Sequence, residues 1–240
     1  MKAVFLDIGN TNTSFAFSTS KQKIEIISTN KLISEDYIQN FLLCNSIETV
    51  VCASVVPNIS DIFTSVCFKL NIICKILNFS NIPLQTNVEN NQELGIDRVI
   101  NAFHGISKFG NNFIIIDFGT ALTFDIVFNE IYQGGMIFPG ISIAIESLHK
   151  KTAKLPQVQV ENFSDGIGKN TVQAIKFGIS IGYEGVLKNT VNFISKYYNH
   201  KFKVIFTGGC GAMFCKAIDN ATYEENLIIE YLISSHNIIQ

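Results

Sequence analysis

Two short stretches hold the residues best suited to chemistry. Residues 4–17 read VFLDIGNTNTSFAF, and residues 114–127 read IIIDFGTALTFDIV. Overlaid, they match Asp7 with Asp117, Gly9 with Gly119 and Thr13 with Thr123, with apolar β-forming residues on both sides. Each reads as a strand–turn–strand unit. Glycine at the turn lets the backbone approach a phosphate while neighbouring N–H groups point at its oxygens. Asn10, Thr11 and Thr13 add neutral donors. A carboxylate beside a phosphate repels it unless a cation stands between them, and Mg²⁺ commonly keeps waters that such a carboxylate can hold. Ordinary hairpins also favour Asn and Gly. Two copies sharing Asp, Gly and Thr favour a phosphate grip instead. The two common nucleotide signatures, G-x-x-x-x-G-K-[ST] and G-x-G-x-x-G, do not occur.

A third glycine turn, VIFTGGCGA at residues 204–212, follows a strand-like run. Adjacent glycines leave room for a flat adenine or ribose against the backbone. After two phosphate turns it reads as the nucleoside end of an ATP site. On the acceptor side, Gly95-Ile96-Asp97-Arg98 precedes an amphipathic helix. Asp97 fits a helix N-cap. It also fits a loop-presented carboxylate that takes the proton of an alcohol during phosphoryl transfer. Arg98 has the planar fork to bind an anionic group. Gly168-Lys169-Asn170-Thr171 opens a further helix, and its spacing alone reads as a simple cap. That helix carries Gly178, Gly182 and Gly185, so one side permits close backbone approach, within the chain or across a dimer. Lys176 and Glu184 argue against its lying in a membrane.

The elements that must position these residues alternate along the chain. Strands are expected at 3–6, 14–17, 24–28, 49–53, 72–77, 113–116, 122–128, 132–138 and 203–206. Helices are expected at 35–43, 61–70, from about Asp97, at 141–149, at 171–194 and after Gly211. The Asn-rich stretch 78–93 reads as a loop, and 226–234 fits either helix or strand. The fold class is α/β. The 240 residues, 47% hydrophobic, suffice for one large core or two modest ones. A formal net charge of -2 offers no broad basic field for nucleic acid. Asp7 interrupts the first apolar run too early for a signal peptide, and no apolar stretch is long enough to span a bilayer. A cytoplasmic location is expected. None of the six cysteines forms a C-x-x-C pair and the four histidines are scattered, which argues against zinc.

Together these residues resemble type III pantothenate kinase, of the actin-like, sugar-kinase-like ATPase superfamily. The matching stretches are DIGNTNT (7–13), SVVP (54–57), ELGIDR (93–98), DFGTALTFD (117–125), GGMIFPGI (134–141), AKLP (153–156), GKNT (168–171) and TGG (207–209). The resemblance implies two related ribonuclease H-like domains, expected at 1–110 and 111–240, with ATP in the cleft between them. It implies ATP-dependent phosphorylation of pantothenate to 4′-phosphopantothenate, which opens coenzyme A synthesis. Carried over residue by residue, Asp7, Ile8, Gly9, Asn10, Thr11, Asn12, Thr13 and Ser14 lie along the ATP phosphates, and Thr120 also touches ATP. Asp97 is the proton acceptor, and Gly95, Ile96, Asp97 and Arg98 contact pantothenate. Asp117 holds a monovalent cation, K⁺ or NH₄⁺. Thr171 contacts pantothenate, with the partner subunit of a homodimer as one source of that contact. Two positions depart from the family pattern: Val88 where an aromatic residue is common, and Asn91 where a Pro is common. Both bear on the pantothenate pocket and leave the phosphate machinery untouched. Another small-molecule kinase of the superfamily shares the fold expectation, and the motifs at 95–98 and 168–171 argue against it. A non-enzymatic regulator would be marked by loss of Asp7, Asp97 or Asp117, and all three are present.

Overall fold

β1 (Ala3–Ile8) turns back through a tight loop into β2 (Asn12–Phe17), which turns again into β3 (Ile24–Ser28). β4 (Thr49–Ser54) returns parallel to β1, and β5 (Ile73–Ile76) lies parallel to β4 at the edge. The crossovers carry α1 (Glu35–Cys44) and α2 (Pro57–Lys69). This sheet has the order β3-β2-β1-β4-β5. The computed structural model describes residues 2–20, 23–160 and 162–238. Met1 and residues 239–240, inside the expected domain bounds, lie outside them.

The second sheet repeats the first strand for strand. β6 (Phe113–Phe118), β7 (Ala121–Phe128) and β8 (Ile131–Pro139) form an antiparallel meander. β9 (Lys203–Thr207) is parallel to β6, and the two-residue β10 (Thr222–Tyr223) is parallel to β9. Its order, β10-β9-β6-β7-β8, is that of the first sheet read from the other edge. The connections carry α4 (Ile141–Lys151), the long α5 (Thr171–Tyr197) and the short α6 (Gly211–Phe214). The α/β reading and the duplicated strand–turn–strand therefore extend to two whole mixed sheets.

Strand alternation sets where the acidic residues point. In β1, Val4, Leu6 and Ile8 pack into a core with Phe15, Ile38, Leu42, Ile59 and Phe63. Ala3, Phe5 and Asp7 face the other side, where the Phe5 ring meets His236 edge-on. In β6, Ile114, Ile116 and Phe118 join the second core, so Phe113, Ile115 and Asp117 share the opposite face. Asp7 and Asp117 each occupy the same place, near the carboxyl end of a buried central strand.

The chain divides into two compact units, Met1–Lys108 with Asn226–Gln240, and Phe109–Glu225. This differs from the expected 111–240 domain at its last element. The segment that fitted either helix or strand is a helix, α7 (Leu227–Ile238), and it packs on β1, β4 and β2 of the first unit. The cause is the apolar face of the first sheet left uncovered by α1 and α2, which Leu227, Ile229 and Leu232 bury. α2 also begins earlier than expected, because Pro57 sits at its first position, where a missing N–H costs nothing. The stretch 78–93 is a loop with two short 3-10 turns, stapled by its own asparagines. Asn78 and Asn81 form a reciprocal capping box, and Thr86 donates to Asn91.

Leu232 is fully buried, so Leu232→Ala is expected to cost about 2–4 kcal/mol of stability, measured by urea unfolding. An unchanged midpoint would remove α7 from the core of the first unit.

Candidate functional site

The first turn is a loop of four residues, 9–12, between the paired Ile8 and Thr13. The Gly9 N–H donates to the Asn12 carbonyl at 3.1 Å, closing it. Asn10, Thr11 and Asn12 are exposed. Ser14 is paired across from Asp7, so their side chains share a face. Two predicted ligands point elsewhere. Ile8 is buried in the core, and only its backbone is at the turn, its carbonyl accepting from Val55 N–H. Thr13 is also fully buried; its hydroxyl lies 2.9 Å from that of Thr29, which donates to the Gly9 carbonyl at 2.7 Å. Thr29 also donates its N–H to the Thr11 carbonyl. Thr13 and Thr29 therefore brace the loop from beneath. Sequence reading missed Thr29, whose only signal is a polar residue at the end of β3.

Asp97 belongs to the same unit. α3 (Ile96–Phe109) starts one residue before it, so Asp97 lies inside the first helical turn and is not the N-cap. Its Oδ1 accepts the Arg98 N–H at 2.8 Å, while the Gly95 carbonyl accepts from Arg98 and Val99. A Cβ at Gly95 would collide with that same Asp97 oxygen and would touch Val55. Glycine at 95 thus leaves the space in which the carboxylate sits. Asp97 and Asp7 lie within each other's electrostatic field. Asp7 is pushed up to about 7, first by burial and then by the negative charge of Asp97. Burial also raises Asp97, against the pull of the Arg98 N–H and guanidinium. The charge of Asp97 thus adds to burial in favouring the protonated form of Asp7.

The second turn is one residue shorter. Asp117 pairs with Thr123 and Phe118 with Leu122, leaving only residues 119–121 between them. The sequence overlay of Thr13 on Thr123 is therefore displaced by one. Thr123 is the counterpart of Ser14, and the buried Leu122 is the counterpart of Thr13. Thr123 donates to Asp125 Oδ2 at 3.2 Å, and the buried Tyr132 hydroxyl donates to Asp125 Oδ1 at 2.7 Å. Sequence reading assigned neither Asp125 nor Tyr132; their signal is a charged and a phenolic group inside apolar strands. Beside Asp117 lies the turn after β9. Gly208 has φ +78, and a Cβ there would strike both the Asp117 carboxylate and the Phe118 carbonyl. The Gly208 carbonyl accepts from the Tyr223 hydroxyl at 3.2 Å. Thr120 is exposed, and its carbonyl accepts the Gly140 N–H at 3.1 Å.

Thr171 is the exposed first residue of α5. Asn170 caps that helix through its side chain, accepting from Gln173 N–H at 2.9 Å. Hence the structure brings Asp7, Ser14, the loop 9–12 and Asp97 together in one unit, and Asp117, Thr120 and the 208 turn in the other. The donor sets are oxygen-rich. Among the described residues no group of three or more His, Cys, Asp or Glu is placed to hold a metal ion, and no helix is long and apolar enough to cross a membrane.

The sequence model of the type III pantothenate kinase family matches residues 3–192. A type III pantothenate kinase from Persephonella marina is 37% identical over 228 residues, 89% of each chain. One from Pelagibacter ubique is 34% identical over 246 residues, covering 98% of each. Among solved structures, a Campylobacter jejuni protein described as of the Baf family of transcriptional activators aligns with TM-score 0.67 at 23% identity, covering 99% of this chain and 100% of that one. A Sinorhizobium meliloti protein described as a 2-dehydro-3-deoxygalactonokinase aligns with TM-score 0.60 at 8% identity, covering 99% and 96%. At such identities the structural likenesses show the fold alone, that of the sugar-kinase and actin-like ATPases.

The raised Asp7 has a measurable consequence. Its folded pKa lies above the unfolded value of 3.8, so the fold binds the extra proton and the ligand-free protein loses stability as pH rises from about 4 to about 7. Asp7→Asn is expected to flatten that slope and to exceed the parent by about 1–3 kcal/mol above pH 7, in urea unfolding at a series of pH values. Parallel curves for the two proteins would contradict it.

Proposed function

Since the chain belongs to the type III pantothenate kinase family, we propose that it transfers the γ-phosphate of ATP to the primary hydroxyl of pantothenate with Asp97 as proton acceptor. The product, 4′-phosphopantothenate, is the first intermediate of coenzyme A synthesis. The observation that carries the mechanism is the Asp97 carboxylate, fixed by the Arg98 N–H and standing in the field of Asp7 beside the first turn. A charged Asp97 accepts the hydroxyl proton as the oxygen attacks phosphorus. The exposed loop 9–12, braced by Thr13 and Thr29, offers N–H and side-chain donors to the phosphates. Ser14 and Asp7 line its edge, and Thr120 adds a contact to ATP from the second turn. Residues 95–98 and Thr171 contact pantothenate.

Two cations complete the reading. Asp7 and the hydroxyl and amide oxygens around it suit Mg²⁺, which accepts one or two carboxylates and keeps its remaining waters. Mg²⁺ held there would offset phosphate charge beside the Asp7 carboxyl, which burial and Asp97 push up to about 7. Asp117 suits K⁺ or NH₄⁺: the Phe118 carbonyl and the carboxylate meet where a Cβ at 208 would intrude. The homodimer is supported by α5. Gly178 and Gly182 are exposed with nothing within 4 Å of where a Cβ would stand, and the intervening Ile181 is 47% exposed. A cytoplasmic location is supported by the six cysteines all being free.

A coupled assay with ATP and pantothenate tests the reaction. Wild-type protein is expected to turn over, and Asp97→Asn to lose about 10²–10⁴-fold in kcat with ATP and pantothenate affinities changed little. No turnover by the wild type would remove the substrate assignment, and near-normal turnover by the variant would remove the role of Asp97. Activity is also expected to require K⁺ or NH₄⁺. Full activity in Na⁺ alone, with Asp117 intact, counts against the cation site.

A further inference from the structure

The second turn rests on a buried polar chain that the reaction above leaves without a role. Asp125 on β7 and Tyr132 on β8 are both fully buried. The Tyr132 hydroxyl donates to Asp125 Oδ1 at 2.7 Å, and the Thr123 hydroxyl donates to Asp125 Oδ2 at 3.2 Å. Alternation along β7 sets the faces. Leu122, Phe124 and Ile126 enter the core of the second unit, so Thr123 and Asp125 face the other way. Thr123 stands directly across from Asp117. Directly opposed residues of an antiparallel pair share a face, with Cβ atoms about 4.5–5.5 Å apart. The chain Tyr132–Asp125–Thr123 therefore ends beside the Asp117 carboxylate, for which Gly208 leaves room.

We propose that Asp125 is a positioning residue of the second turn, which holds the Thr123 hydroxyl as a donor so that the Thr123 oxygen serves, beside Asp117, as a further ligand of the monovalent cation. The inference rests on the cation reading of Asp117 and extends it to residues that reading does not use. A hydroxyl has one hydrogen and two lone pairs, and an ionised carboxylate only accepts. With its hydrogen given to Asp125, Thr123 has only lone pairs left to offer on the Asp117 side. Two oxygens of the same polarity then stand together, which suits a cation and repels a phosphate. Tyr132 holds the other carboxylate oxygen and so fixes Asp125 from its far side. The first turn lacks this device. Ser14 stands across from Asp7 as Thr123 does from Asp117. Two residues further on, where the second sheet has Asp125, the first has Ala16. A methyl group accepts nothing, so that position makes no claim on the Ser14 hydrogen, and a phosphate oxygen can take it. The same hydroxyl place thus faces an anion in one copy and a cation in the other, and the residue two positions on sets which.

Thermal unfolding of the full-length protein across a KCl titration tests this without relying on turnover. A non-hydrolysable ATP analogue is present throughout, and tetramethylammonium chloride holds the ionic strength constant. The double variant Asp125→Leu/Tyr132→Phe replaces both buried partners by apolar groups and leaves no orphaned donor, while Thr123 and Asp117 stay intact. It is expected to need about 10-fold more K⁺ than the wild type for half of the stabilisation. Thr123→Val, which keeps the shape and removes the oxygen, should show a similar shift, and Thr123→Ser should keep the wild-type K⁺ dependence. A merely structural role lowers the unfolding midpoint and leaves the K⁺ dependence where it was. A double variant, or a Thr123→Val protein, that responds at the wild-type K⁺ concentration overturns the proposal, and the Thr123 variants decide it should the double variant fail to fold. A wild type indifferent to K⁺ overturns the cation site itself and this role with it.

Discussion

Everything at the first turn depends on two carboxylates being held where neither is comfortable. Asp7 ends the buried face of a central strand, and Asp97 opens the helix that brings a second negative charge beside it. Burial raises both carboxyls, and the charge of Asp97 raises Asp7 further. Such a site has an unmet demand for positive charge. On the proposed reading a divalent cation carrying phosphates would meet it, and an alcohol bound near Asp97 would find a carboxylate to take its proton. On that reading the same buried field would favour the cation and leave Asp97 as the base. Perturbed carboxylates of this kind concentrate at functional sites, and here the perturbation has a named partner.

The fold holds that arrangement by repetition of a simple rule. In a strand with one face in the core, every second residue faces away from it, so an Asp at the seventh or the hundred-and-seventeenth position leaves the apolar layer at the strand's carboxyl end. The parallel neighbours β4 and β9 end beside these residues and add their own loops, 55–56 and 208–210. Ligands of open α/β sheets gather at such carboxyl ends. The five-stranded order recurs in both sheets, so the two turns are equivalent in place even though their chemistry differs.

Much of this was legible in the sequence, because the signals were periodic or local. Apolar runs gave every strand of both sheets except the two-residue edge strand β10, and the repeat of Asp and Gly gave the pairing of the two turns. The ordered motifs gave the family. What escaped were facts that depend on residues distant along the chain. Thr13 looked like a donor to phosphate, but Thr29 takes its hydroxyl into a brace under the loop. Asp97 looked like an N-cap candidate, yet Gly95 lets the helix begin one residue earlier. The last segment reads as helix or strand within the expected 111–240 domain; it is a helix that packs on β1, β4 and β2 of the first unit, a contact with strands from the other end of the chain that no local pattern shows.

The one-residue difference between the turns argues for a division of labour. An unbroken overlay of the two sequences makes them look like copies of one ligand site. Register shows four residues in the first loop and three in the second. The longer loop projects three exposed polar residues, whose N–H groups and side chains can follow a chain of phosphates. The shorter loop is tied down instead: Gly140 bonds to the Thr120 carbonyl, and Gly208 lies against Asp117 and the Phe118 carbonyl. A fringe of exposed donors suits an extended anion. A tightly held carboxylate beside backbone carbonyl oxygen suits a compact, weakly hydrated cation. The one-residue difference thus changes which groups each turn presents while leaving the strands, the Asp and the core beneath them in register.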